Sequence, residues 1–171
     1  MRAPALTRRW QLLALTLAPL LLLGCGFHLQ GRNQLPRALA SARLLTADPQ
    51  TDFYASLRAA LLAAGTRLDG EPGSAATIRI AADTSAERVL TVSTHNIPTA
   101  YVLSYRIEVS VDYQGRELLA PEVHTVTREY SFDERTLLAK ERERDVLRQA
   151  LADDLVALVM RRLAEIGRAH V

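Results

Sequence analysis

The stretch from Tyr101 to Tyr113 constrains the fold most, because apolar and polar residues alternate along its whole length. Its odd-numbered positions are all Tyr, Leu, Ile or Val, and its even-numbered positions are mostly polar. A period of two over this length is typical of a β-strand with one face in a core and the other in water. Such strands belong to antiparallel sheets, so the sequence predicts an antiparallel sheet with one wetted face.

The flanking segments predict further strands and two helices. Alternation of apolar and polar residues predicts a first strand near 40–46 and strand segments at 77–83 and 88–93, which are joined through a bulge near Asp83. After a hairpin at 114–116, the same pattern predicts a returning strand over 117–132. Apolar residues at helical spacing predict one helix over 53–64, ended by Gly65, and another over 147–166. This order indicates an α+β fold in which the helices cover one sheet face.

The segment 140–145, which precedes the last apolar stripe, is charged almost throughout. It is either a solvated extension of the last helix or a face offered to a partner, and charge patterning favours the solvated extension. Pro121 limits the start of the last strand or places that strand at an edge of the sheet.

The first 24 residues are typical of an export signal. Three arginines precede an apolar run from Trp10 to Leu23. A run of about 14 residues suits the apolar region of a secretory signal and is shorter than the roughly 20 residues of a membrane-spanning helix. We therefore expect residues 1–24 to be a removable leader, 25–38 a tether, and 39–171 a single domain.

The end of the apolar run, Leu22-Leu23-Gly24-Cys25, resembles the lipobox of bacterial lipoproteins. This resemblance implies cleavage before Cys25, an S-diacylglyceryl group on its sulfur and an acyl chain on its new amine. Lone cysteines are more often buried small hydrophobes, but this one stands at the predicted cleavage point. A catalytic thiol is disfavoured because no base lies nearby in the sequence.

Charge and side-chain chemistry exclude several classes of function. Without the three arginines of the leader, 18 basic residues stand against 19 acidic ones, so we expect no nucleic-acid partner. The four histidines are scattered, and no nucleophile elbow or phosphate loop is present, so we expect no enzyme, no metal site and no cofactor beyond the covalent lipid on Cys25. Three classes stay open: a scaffold or plug in a membrane complex, an amphiphile-binding lipoprotein, and an enzyme with an unrecognised site.

Two blocks of the sequence resemble the LptE family of lipopolysaccharide-assembly lipoproteins. Cys25-Gly26-Phe27-His28-Leu29-Gln30 is similar to the family's mature start, and Leu138-Ala139-Lys140-Glu141 is similar to the block that opens its last helix. Tyr101 stands where the family keeps a tyrosine. The resemblance implies two helices packed on one face of a roughly four-stranded, mostly antiparallel sheet.

The resemblance also implies a location and partners. It implies an outer-membrane lipoprotein that lies inside the lumen of the β-barrel LptD, assists the assembly of that barrel and helps to deliver lipopolysaccharide to the cell surface. Gly26, the residue after the lipidated cysteine, fits sorting to the outer membrane. The alternative is an auxiliary lipid-binding lipoprotein of an envelope ABC transporter.

For lipopolysaccharide contact, the resemblance implies Lys140, the only lysine of the chain. A second basic residue of the family falls near Thr94 or His95, where this chain has neither lysine nor arginine. Arg88 is the nearest candidate for that role. Both side chains suit the phosphates of lipid A, which ammonium and guanidinium groups bind through charge-assisted hydrogen bonds.

Overall fold

The computed structural model describes residues 35–71, 73–131 and 137–166, the last without the side chains of 137–140. A 3-10 turn at Arg37–Leu39 precedes the regular elements. These elements are, in chain order, β1 (Ala42–Leu45), α1 (Asp52–Ala63), β2 (Ala76–Val92), β3 (Pro98–Tyr113), β4 (Arg116–Ser131) and α2 (Leu137–Ile166).

The four strands form one open, mixed sheet in the order β1-β2-β3-β4. β1 runs parallel to β2, and the remaining neighbours are antiparallel. β4 is an edge strand, which explains why it tolerates Pro121, a residue without a backbone N–H. The predicted α+β class, with two helices and a four-stranded, mostly antiparallel sheet, is confirmed.

The core lies between one face of this sheet and the two helices. The apolar face predicted for β3 is confirmed, because the side chains at its odd-numbered positions from Leu103 to Val111 are buried. They meet buried residues of both helices, among them Leu57, Leu61 and Leu155. Burying such side chains contributes roughly 1.5–3 kcal/mol each, so this layer is the main source of stability.

β2 is one strand of 17 residues in which the predicted break is a bulge between Ala81 and Thr84. Ala82 has a φ of 52°, in the left-handed region that residues with a Cβ disfavour. The bulge turns Asp83 toward the helix layer. There its carboxylate accepts hydrogen bonds from the hydroxyls of Thr51, at 2.5 Å, and Tyr105, at 2.9 Å.

Local signals fix the turns between elements. The Thr51 side chain caps α1 by accepting a hydrogen bond from the Tyr54 amide, and Gly65 follows the helix with a φ of 92°. Gln114 and Gly115 both have positive φ, as a two-residue hairpin of type I′ requires. The helix end at Gly65 and the hairpin at Gln114-Gly115 match the sequence expectations.

α2 is a continuous helix of 30 residues, about 45 Å long. Residues 141–146 of α2 are exposed, and the first residue of this helix that is fully buried, among those whose side chains are described, is Leu151. The side chains of this N-terminal part of the helix therefore lie outside the core, as both a solvated extension and a face offered to a partner predict.

Candidate functional site

The start of α2 and the tip of the β2–β3 hairpin belong to the same end of the molecule, called here the distal end. β4 finishes at Ser131, which pairs with Ala100 near the start of β3. α2 begins six residues later, and Lys140 occupies its first turns. The side chain of Lys140 and the whole of Cys25 lie outside the described residues.

Arg88 lies on β2 near the distal end, on the sheet face opposite the helices. Its neighbour Glu87 faces the helix layer, where it accepts a hydrogen bond from the Tyr130 hydroxyl at 2.7 Å. Successive side chains of a strand point to opposite faces, so Arg88 points away from α2. It is in register with Val102 of β3, which in turn pairs with Glu129 of β4. Arg88 is exposed and has no ion pair with a described residue. The structure thus places Arg88 and α2 on opposite faces of the sheet.

A groove of about 190 Å³ separates the distal part of β2 from α2. Arg144 and Arg148 of α2 line it, facing Glu87 and Leu103. Lys140, Arg144 and Arg148 are spaced four residues apart, so their positions share one face of the helix. This face is the basic stripe of α2.

The two described arginines of the basic stripe differ in their bonding. Arg148 donates to Asp52 at 2.7 Å and to Asp145 at 3.1 Å, and the hydrogen bond to Asp52 raises the pKa of its guanidinium. Arg144 forms no ion pair with any described residue. It is a second cation in the lining of the groove. The sequence interpretation did not single it out, although the spacing of four residues from Lys140 was visible.

A pair of aromatic rings is connected to this groove through Glu87, which lines the groove and accepts a hydrogen bond from Tyr130. Tyr101 and Tyr130 stack with their ring centroids 5.7 Å apart and their planes 20° from parallel. Burial and the hydrogen bond to Glu87 raise the pKa of Tyr130 above its ordinary value. Tyr101, singled out by the family resemblance, therefore helps to hold β3 against β4 at the distal end.

Two of the histidines, His95 and His124, lie far apart in the described part of the chain. His124 pairs with Ile107 in mid-sheet, whereas His95 lies in the loop before Pro98. Nine residues of β3 separate these points, about 30 Å at the rise of a strand. Nε2 of His124 is buried and lies 3.7 Å from Glu122 Oε1, too far for a hydrogen bond.

Among the described helices, none is both long and apolar enough to cross a bilayer.

The fold is similar to that of solved lipoprotein structures. Rare lipoprotein B from Shewanella oneidensis superposes with a TM-score of 0.67 at 22% identity, over 76% of this chain and 99% of that one. Lipoprotein B from Nitrosomonas europaea gives a TM-score of 0.69 at 22% identity, over 85% and 96%. This chain therefore shares the α+β fold of these lipoprotein domains.

The family follows from the sequence match. The family model LptE, described as lipopolysaccharide-assembly, matches residues 38–163, and the chain belongs to this family. LPS-assembly lipoprotein LptE from Yersinia enterocolitica is 26% identical over 162 residues, covering 94% of this chain and 78% of the relative. Its counterpart from Yersinia pestis is 27% identical over 161 residues, covering 93% and 77%. The resemblance noted in the sequence is confirmed.

Proposed function

We propose that this chain is an outer-membrane lipoprotein that serves as the plug and scaffold subunit of a translocon formed with the β-barrel LptD. The observation that carries the proposal is the family match over residues 38–163, which includes nearly the whole described domain. In this role the chain assists LptD assembly and acts by contact, without catalysis. The acyl chains on Cys25 tie the domain to the membrane, since two or more lipid chains give stable anchoring.

The open face of the sheet supports placement in a barrel lumen. The even positions of β3 present Ser104, Arg106 and Glu108 on the side away from the helices. Lumens of outer-membrane barrels are polar. A plug with this face can exchange its water contacts for hydrogen bonds to lumen side chains.

The basic stripe of α2 supports direct contact with lipopolysaccharide. Lys140 is the proposed primary ligand of a lipid A phosphate, and Arg144 lies one helical turn further along the same face. Arg88 is the second ligand implied by the family resemblance. Because Arg88 lies on the other sheet face, we propose that it contacts a separate phosphate.

Affinity purification from outer membranes tests the proposal. The tagged full-length protein should recover one large β-barrel protein together with lipopolysaccharide. The control carries the same leader and residues 25–38 fused to an unrelated soluble domain, and it should recover neither. Recovery of inner-membrane transporter components alone would contradict the proposal and favour the auxiliary ABC-transporter lipoprotein.

A further inference from the structure

The last strand of the sheet, β4, presents a long and regular edge. Its residues 122–131 pair with β3 in one uninterrupted register of ten residue pairs, from Glu122 opposite Val109 to Ser131 opposite Ala100. The other side of this stretch has no backbone partner among the described residues. An edge strand exposes a row of unpaired N–H and C=O groups, which can form hydrogen bonds with the backbone of another extended segment.

The other edges of the described sheet are covered or interrupted. β1 has only four residues, and beside it the Arg67 backbone donates to the carbonyl of Ala40 at 3.0 Å and accepts from the amide of Ala42 at 2.8 Å. Beyond the end of β1, the exposed edge of β2 has register shifts at 81–84 and again within 89–92. Short strands, covering segments and bulges are the devices by which proteins block pairing at sheet edges. Of the described edges, only the regular stretch of β4 lacks them.

Two charged residues of this stretch are held by α2. Arg128 donates to Asp154 at 2.7 Å, and Glu122 accepts a hydrogen bond from Arg162 at 2.9 Å. Both ion pairs lie on the helix side of the sheet, so they fix β4 to α2 without using the outer backbone of the strand. Pro121 lies just before the regular stretch and does not interrupt it.

The open face of this edge indicates the chemistry of a partner. Val123, Thr125 and Thr127 follow one another on that face, and all three are exposed. β-Branched residues at alternate positions favour a neighbouring strand with β-branched residues opposite them. Glu129, the next residue on this face, is exposed and forms no ion pair with a described residue. A lysine or arginine on the partner strand would supply the opposite charge.

We propose that residues 122–131 of β4 pair with an extended segment of the barrel protein LptD, which adds a fifth strand to the sheet. This inference rests on the proposed function, in which the domain lies in the lumen of that barrel. The wall strands of a closed barrel have no free edge, so the pairing segment belongs to a loop that enters the lumen. Main-chain hydrogen bonds give such pairing its affinity, and alternate side chains give it specificity. The segment carries β-branched residues at alternate positions and a basic residue facing Glu129.

Hydrogen–deuterium exchange tests the proposal. The mature protein is measured alone, at two concentrations, and in its complex with LptD purified from outer membranes. We expect alternate amides of residues 122–131 to exchange on the order of tenfold more slowly in the complex, because every second N–H of an edge strand points outward and gains a hydrogen bond.

The other outcomes are distinguishable. Unchanged exchange in a complex that has formed would overturn the strand pairing and leave the proposed function intact. Protection that is already present in the free protein would overturn the assignment to LptD: if it increases with concentration, the edge pairs with a second copy of this chain, and if it does not, another segment of this chain covers the edge. Failure to recover any complex with the barrel would contradict the proposed function and this inference together.

Thr127→Lys tests the same pairing by substitution, because a lysine on an edge strand blocks the approach of another strand. It should return the exchange of residues 122–131 to that of the free protein. The matched control is Ala86→Lys, since Ala86 and Thr127 are both exposed and lie in one row across the sheet, on either side of Ser104. The control should retain the protection. Equal protection in the two variants, or equal loss while both unfold at the wild-type temperature, would overturn the assignment.

Discussion

The Tyr105 hydroxyl donates a hydrogen bond to the Asp83 carboxylate across 2.9 Å and accepts one from the Phe53 amide at 3.3 Å. Thr51, the N-cap of α1, donates to the other oxygen of Asp83 at 2.5 Å. These four residues come from β3, β2 and the start of α1. The network therefore fixes the helix to the sheet at the point where β2 bulges.

Asp83→Ala should destabilise the protein by about 1–3 kcal/mol, because it leaves two buried or half-buried hydroxyls without their acceptor. Urea unfolding followed by circular dichroism measures this change. The control, Asp112→Ala, removes an exposed partner of Arg79 and should cost less than about 1 kcal/mol. Equal effects of the two variants would show that the network does not stabilise the fold.

Stability should fall at alkaline pH because of two tyrosines. Burial, together with hydrogen bonds to Asp83 and Glu87, raises the pKa values of Tyr105 and Tyr130 above the ordinary value. The unfolded chain releases these protons near pH 10 while the folded chain retains them, so stability is complete below about pH 10 and decreases above it.

Urea unfolding between pH 8 and pH 11 measures this decrease. Tyr105→Phe and Tyr130→Phe should each flatten the pH dependence of the free energy of unfolding. A decrease of the same slope in all variants would rule out these tyrosines as its cause.

Ala82→Gly should stabilise the protein by about 1 kcal/mol, because glycine adopts the positive φ of the bulge without a Cβ clash. Differential scanning calorimetry measures the shift in Tm. Ala86→Gly, at a regular position of the same strand, should instead destabilise. A lower Tm for Ala82→Gly would argue against the left-handed conformation.

Lys140→Asp should weaken lipopolysaccharide binding by the purified protein about tenfold or more, since hydrogen bonds to charged groups contribute roughly 1.5–3 kcal/mol. Its thermal unfolding should be nearly unchanged. Arg161→Asp, on the same helix near its far end, makes the same charge change and should bind normally. Unaltered binding by Lys140→Asp would leave Lys140 as an ordinary helix lysine.

Cys25→Ser should leave the leader uncleaved and the protein without lipid, because the proposed thioether requires sulfur. Intact-mass spectrometry of membrane fractions measures both outcomes. A mature wild-type protein with a free thiol at Cys25 would contradict the anchor and, with it, the proposed location.

The sequence by itself determined the elements and the buried faces. The alternation of β3, the apolar stripe of α2, the end of α1 at Gly65 and the Gln114-Gly115 hairpin are local patterns. Each follows from backbone geometry over a few residues. The family resemblance was also visible, since it rests on short blocks read directly from the chain.

Only the tertiary structure decided which distant groups meet. Three findings depend on strand register and helix placement. Asp83 accepts hydrogen bonds from Thr51 and Tyr105, Arg148 pairs with both Asp52 and Asp145, and Arg88 lies on the sheet face opposite α2. A one-residue change of register moves every side chain of a strand to the other face. Charge pairing between elements is therefore a property of the folded layers, and the local sequence does not encode it.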